Sequence, residues 1–186
     1  DFLPVGTYID SGVWRIVLTP RDIVNGEFSL WLPTQGTLNR GTGFLFPTEE
    51  RSLTIPSTSY KTIGVGAYDA LTFSYADFSG RGPAGPGRRA KPDLVAPGVN
   101  VKGAISRNQF AVRTGSSIAT GITAGAVALL MEWGVYVIGE IDLDSSQIRN
   151  LLILGTEKTE GTTYPNQTSG YGRLNLYQTF EFIRQI

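Results

Sequence analysis

The sequence predicts an α/β fold built on a parallel sheet and preceded by a stretch of strands alone. Short apolar runs bounded by Gly and Pro recur at 61–68, 94–96 and 110–113. Segments with helical spacing follow at 116–133, from Asp144 and at 175–184. Strands alternating with helices bury both faces of a parallel sheet. Residues 1–33 carry strand patterns without a helical one, so the expected division is 1–52, the end of a β module with its connecting loop, and 53–186, the α/β part.

In the first part Val13, Arg15 and Val17 alternate with Trp14, Ile16 and Leu18, and 28–32 is a second apolar run. Asn25-Gly26 between them favours a tight hairpin turn. Trp14, Trp31 and Trp133 read most simply as core residues. Residues 34–52 are rich in Gly and read as loop, and 53–56 as a short extended piece. The run KTIGVGAY, 61–68, predicts a buried strand whose glycines admit a close backbone neighbour. Residues 79–92, SGRGPAGPGRRAKP, predict a loop whose Arg81, Arg88, Arg89 and Lys91 read as a solvated basic surface. A short strand at 94–96 is ended by Pro97-Gly98.

The long helix places Ile118, Ala119, Ile122, Ala126, Leu129, Leu130 and Trp133 on one side, with Ala, Gly and Thr opposite. No charge occurs from Ile118 to Met131, so the helix is expected to be buried on nearly all sides, with Gly134 as its stop. Asp144 and Gln147 have capping-box spacing ahead of Ile148, Leu151 and Leu152, and Gly155 ends that helix. The last helix turns Leu176, Phe180 and Ile183 inward.

Composition narrows the chemistry. A chain of 186 residues can bury a sizeable core. Sixteen basic and sixteen acidic residues cancel, which argues against nucleic acid or an anionic membrane as partner. Cysteine is absent, which excludes disulfides and thiol catalysis. Histidine is absent too, which removes the usual general base and the commonest zinc ligand. No cofactor and no metal site is implied. No apolar run is expected to span a bilayer. The opening DFLPVGTYIDSG lacks a signal-peptide pattern and reads as a chain met in mid-fold.

The segment that points to chemistry is Thr114-Gly115-Ser116-Ser117-Ile118-Ala119-Thr120, which runs into the long helix. A serine there sits among unpaired N–H groups and the positive end of the helix dipole, where an oxyanion is stabilised. On this segment alone an ordinary serine N-cap explains the pattern as well. Asp93, in Lys-Pro-Asp, reads as a loop hydrogen-bond acceptor. The Asn166-Gln167-Thr168 sequon is taken to be without consequence.

Four blocks in order decide between these readings. IGVGAYD with FSGRGP (78–83), KPDLVAPGVNV (91–101), the serine segment, and SGYGRLNLYQT (169–179) resemble the subtilases, the subtilisin-like serine proteases. The resemblance covers about 60–180 and implies the C-terminal part of their three-layer fold, with Ser117 at the nucleophile position. IPSTSYKTIGVGAY, ALLMEWGV and TYPNQTSGYG further resemble clostridial, germination-related subtilases of the Csp type. In those, a jelly-roll insertion precedes the Phe-Ser-Gly-Arg-Gly loop, and the hairpin expected at 13–32 is similar to its last strands. One departure stands inside the motif: Gly121 occupies the position where the family has proline.

The resemblance implies a serine endopeptidase acting on a protein substrate, bacterial and spore-associated, and in the Csp reading activating a cortex-hydrolase precursor. The family's Asp, His and oxyanion Asn motifs lie upstream of the sequence given. This chain alone is therefore expected to be inactive, and the N-terminal portion of the same protease is its expected partner. The alternative is a degenerate pseudoprotease that binds or signals.

Overall fold

The computed structural model describes residues 10–33, 35–83, 89–139 and 143–185; Arg88 of the basic loop lies outside them. The chain divides into two units, Asp1–Leu45 and Phe46–Ile186. The first contains one short 3-10 turn, Gln35–Thr37, and no strand among its described residues. The hairpin expected at 13–32 is not formed. A strand needs a partner for its N–H and C=O groups, and a lone two-stranded ribbon is marginal in water. Val13, Ile16, Val17 and Phe28 are accordingly exposed, as are Trp14 at 69% and Trp31 at 65%, so neither tryptophan is a core residue. The Asn25 side chain still accepts from the Glu27 N–H, so the local turn chemistry survives without its strands.

The second unit holds the α/β part. Strands β1 (Val65–Tyr68) and β2 (Leu94–Pro97) pair in parallel, with Val65 opposite Leu94 and Tyr68 opposite Pro97. The other edge of β2 is closed by 172–174: the Val95 N–H donates to Gly172 O at 3.0 Å, and the Leu174 N–H to Val95 O at 2.8 Å. An antiparallel hairpin follows, β3 (Val101–Ile105) and β4 (Gln109–Arg113). Of these four strands, sequence patterning missed β3, whose residues are mostly exposed and carry no inward alternation. The piece at 53–56 forms no strand.

Helix α1 (Ser116–Trp133) has the expected bounds but not the expected stop. Gly134 is itself helical, and a π turn, Gly134–Ile138, carries the chain on to Gly139. Gly139 has φ 70°, the left-handed conformation that ends a helix at low cost in glycine. Helix α2 (Ser145–Leu154) begins with the full capping box: Asp144 accepts from the N–H groups of Ser146 and Gln147, while Gln147 accepts from the Asp144 N–H. Helix α3 (Leu176–Ile183) is capped by Asn175, which accepts from the Gln178 N–H.

The core has two chemically distinct ends. Leu94, Ala126, Leu130, Ile148 and Leu152 form one cluster, against which Leu176, Phe180 and Ile183 of α3 pack as expected. Trp133 meets Phe180 edge to face at 6.3 Å. The second cluster is built of alanines: Ala67, Ala76, Ala96 and Ala119. Bulky side chains thus hold α1 at its C-terminal half, and small ones let its N-terminus approach the strand ends closely.

Helix α1 is not buried on all sides. Ala119, Thr123, Ala126 and Leu130 form its one buried stripe, while Leu129 is 50% exposed and Met131 is exposed as well. The reason is width. Two strands about 4.8 Å apart, joined at the C-terminal half by Ile148, Leu152 and Phe180, cover one side of a helix about 10 Å across and leave the other side uncovered. The run Ser116–Val137 is also long and apolar enough to cross a bilayer by length and composition, contrary to the sequence-based expectation. That composition equally suits a helix covered by protein on every side.

Leu152 is fully buried at the junction of α2 with the core. Leu152→Ala should lower the unfolding free energy of the protein that carries this chain by about 2–5 kcal/mol, read by urea denaturation. The exposed Leu129→Ala should cost less than half as much in this chain.

Candidate active site

The site is assembled by backbone contacts between three turns. The Gly98 N–H donates to Tyr68 O at the end of β1 (2.9 Å), and the Gly115 N–H donates to Gly98 O (2.8 Å). The Ile118 N–H then donates to Gly115 O (3.1 Å), which starts the helix. Glycine at 98 is required by this approach: a Cβ there would lie 2.6 Å from the Ala67 Cβ and 3.1 Å from Gly115 O. Thr114 adds a side-chain tie, its Oγ1 accepting from the Asn100 N–H at 2.9 Å.

Gly115 adopts φ 156° and ψ 157°, a combination essentially confined to glycine. This turn swings the chain out of β4 and into α1, leaving Ser117 exposed in the first helical turn. No side chain caps the helix, and no acidic residue occupies its first turn. The N–H groups of Ser116 and Ser117 have no intrahelical acceptor, as geometry requires of a first turn. Donors and dipole are therefore aimed at the space beside the Ser117 side chain, where a developing oxyanion is stabilised. An apolar groove lined by Leu129, Trp133, Tyr136 and Phe180 lies at the other end of α1, about 24 Å away at 1.5 Å per residue.

A profile of the subtilase family, peptidase S8, matches residues 39–172. The chain belongs to the subtilase family. The solved structure of the Clostridium perfringens CspB protease superposes with a TM-score of 0.74 at 38% identity, covering 78% of this chain and 32% of that one. The serine protease AprX of Bacillus subtilis is 32% identical over 130 residues, 59% of this chain and 28% of that protein. The membrane-bound transcription factor site-1 protease of Mus musculus is 30% identical over 139 residues, 71% of this chain and 12% of its own length. The chain therefore spans about a third or less of these subtilases. The α/β class and the resemblance to Csp-type proteins agree with these likenesses.

Within this subtilase chain, the Lys91-Pro92-Asp93 segment does more than accept loop hydrogen bonds. Asp93 is fully buried and takes the Gly64 N–H (2.7 Å), the Lys91 ammonium (2.6 Å) and Arg149 Nε of α2 (2.5 Å). Lys91 also donates to Thr62 O at 2.7 Å. Burial holds the Lys91 ammonium below the ordinary lysine range, against the opposing pull of Asp93. The triad pins the start of β2 to β1 and α2, so it fixes the strand on whose far end Gly98 stands. Lys91 is thus no solvated loop cation, because a buried carboxylate needs its charge. Arg81 stays near the surface, paired with Glu49 at 2.5 Å, and Arg89 donates to Tyr60 O.

Two other sequence features resolve structurally. The Asn166 side chain is occupied within its own loop, accepting from the backbone and hydroxyl of Thr168 and Ser169 and donating to Thr163 O. Gly121 has open space where a Cβ would stand, so packing imposes no demand for glycine there. Among the described residues no group of three His, Cys, Asp or Glu side chains gathers to hold a metal.

Two outcomes test this account of the site. Gly115→Ala meets no clash but forces alanine into glycine-only backbone, so it should cost about 1–3 kcal/mol in denaturant melts and weaken any reactivity at Ser117. Asp93→Asn leaves two buried cations without a counter-charge and should cost about 3–5 kcal/mol. Lys91→Met should cost less, since Arg149 still neutralises Asp93; thermal melts of the two variants give the order.

Proposed function

We propose that this chain is the nucleophile-bearing C-terminal portion of a subtilisin-like serine endopeptidase. The observation that supports this best is the uncapped helix start, with an exposed Ser117 held by glycine-only geometry at the family's nucleophile position. In this reading Ser117 Oγ attacks the scissile carbonyl while its proton passes to a histidine, and the Ser117 N–H helps bind the oxyanion. The histidine then protonates the leaving amine. This chain has no histidine, so the base, its aspartate and the oxyanion asparagine come from the upstream portion of the same protease. That portion also covers the open side of α1, since a large apolar face left bare favours self-association.

In the Csp-type reading of the sequence, which the likeness to the Clostridium perfringens CspB protease favours, the setting is bacterial and spore-associated and the protein substrate is the inactive precursor of a cortex hydrolase. The competing reading, a pseudoprotease that only binds, rests on the glycine at 121.

The experiment is labelling and turnover in the full-length protein. A fluorophosphonate probe should label the intact protein at Ser117. Ser117→Ala should abolish labelling and cut peptide hydrolysis by roughly 10⁴-fold or more. The isolated chain should show neither. Failure of the full-length protein to react, with its fold intact by circular dichroism, favours the pseudoprotease.

A further inference from the structure

The chain is neutral overall, with sixteen charges of each sign, yet residues 94–131 contain no Asp or Glu. Their charges are Lys102, Arg107 and Arg113, and all three stand exposed on the β3–β4 hairpin. None of them forms a salt bridge among the described residues. Lys102 instead lies 5.2 Å from the centre of the exposed Phe110 ring, and Arg113 donates only to the neighbouring Val112 O. Arg107 sits at the hairpin tip at φ 63°, a conformation uncommon for arginine, next to Asn108 at φ 54°.

The hairpin is fastened to the candidate nucleophile. Val101 pairs with Arg113, the Asn100 N–H is held by Thr114, and Gly115 is held by Gly98. Arg113 is four residues from Ser117, a separation of at most about 14 Å, and Arg107, six residues before Arg113, lies at most about 20 Å further. An extended peptide running from Ser117 along the hairpin therefore meets Arg113 within about four residues of the attacked bond, and Arg107 within about nine. Three cations over one hairpin are too few for the phosphate-tracking footprint of a nucleic-acid site. Placed beside a serine nucleophile, they suit a carboxylate-bearing peptide.

We infer that the β3–β4 hairpin is a substrate-reading arm, which favours protein segments carrying Asp or Glu within about nine residues of the bond presented to Ser117. The inference rests on the protease reading and names the substrate class for the same site. Exposed pairs act weakly one at a time, so the preference is the sum of a few and is screened by salt.

The test uses the full-length protein and pairs of fluorogenic peptides that differ only by Glu against Gln at positions flanking the cleaved bond on either side. At low salt the acidic peptide of a pair should be cleaved with a kcat/KM about three- to thirty-fold higher. That ratio should fall towards one in 0.5 M NaCl, where the Debye length shrinks to about 4 Å. It should fall likewise in the triple variant Lys102→Gln, Arg107→Gln, Arg113→Gln, and invert in the triple variant Lys102→Glu, Arg107→Glu, Arg113→Glu. Equal cleavage of acidic and neutral peptides at low salt, or a preference that survives the triple variant, overturns the inference while leaving the protease standing. Salt dependence of the unaltered protein decides the matter even if the variants fail to fold. Absence of any Ser117-dependent cleavage or labelling removes the protease reading and this inference with it.

Discussion

The contact on which the site depends is the one between Gly98 and Gly115. Gly98 is bonded through its N–H to the end of β1 and through its carbonyl to Gly115, whose own carbonyl opens α1. Three short hydrogen bonds thus convert the position of a strand end into the position of a helix start. The distance is set by what is missing: a side chain at 98 would overlap Ala67, and the alanines at 67, 96 and 119 keep the neighbouring surfaces thin. Ser117 is held by backbone geometry from strand to helix, with no side chain of its own serving as a cap.

That relay needs a rigid base, and the buried charges around Asp93 supply it. A carboxylate with no solvent contact would be prohibitive alone; here it meets two cations and a backbone N–H. The three partners come from the segment before β1, the segment before β2 and α2, so removing Asp93 leaves two buried cations unpaired, while removing one cation leaves the other to neutralise the carboxylate. Large apolar side chains do the corresponding task next to it, where Leu94, Leu130 and Leu152 join β2, α1 and α2. The molecule is thus anchored by charge on one side of β2, by leucines along the helices, and left thin where Ser117 must be reached.

The same economy explains the exposed surfaces. Helix α1 carries no charge from Ile118 to Met131, yet β1, β2, α2 and α3 cover one stripe of it and leave Leu129 and Met131 exposed. The chain spans about a third or less of the subtilases it resembles, so this face is suited to meet further parts of such a protein. The hairpin differs in kind: it exposes Lys102, Arg107 and Arg113 beside Phe110 and Val112, and it is tied by backbone pairing to the turn ahead of Ser117.

Much of this was legible in the residues. Helix bounds at 116 and 133, the Asp144 capping box and the strands expected at 61–68 and 94–96, which form over 65–68 and 94–97, follow from periodicity, caps and Pro-Gly punctuation, which are local signals. Ser117 was picked out by four subtilase-like blocks read in order along the chain, since its place ahead of an apolar helix fits an ordinary N-cap as well. The Lys91–Asp93–Arg149 triad was not legible, because Arg149 lies 56 residues from Asp93 and burial alone turns a loop lysine into a necessary counter-charge. The strands expected at 13–32 failed for the converse reason: alternation gives a segment two faces but cannot supply the partner that a ladder requires. The missing stop at Gly134 shows the same limit, since a glycine can end a helix but need not, and Gly139 took that role by adopting the left-handed conformation. Sequence by itself determined which segments could become strands, helices and turns, since these depend on neighbours a few residues away. Tertiary structure decided which of them were paired, covered or charged in the interior, since those energies depend on groups brought together from far along the chain.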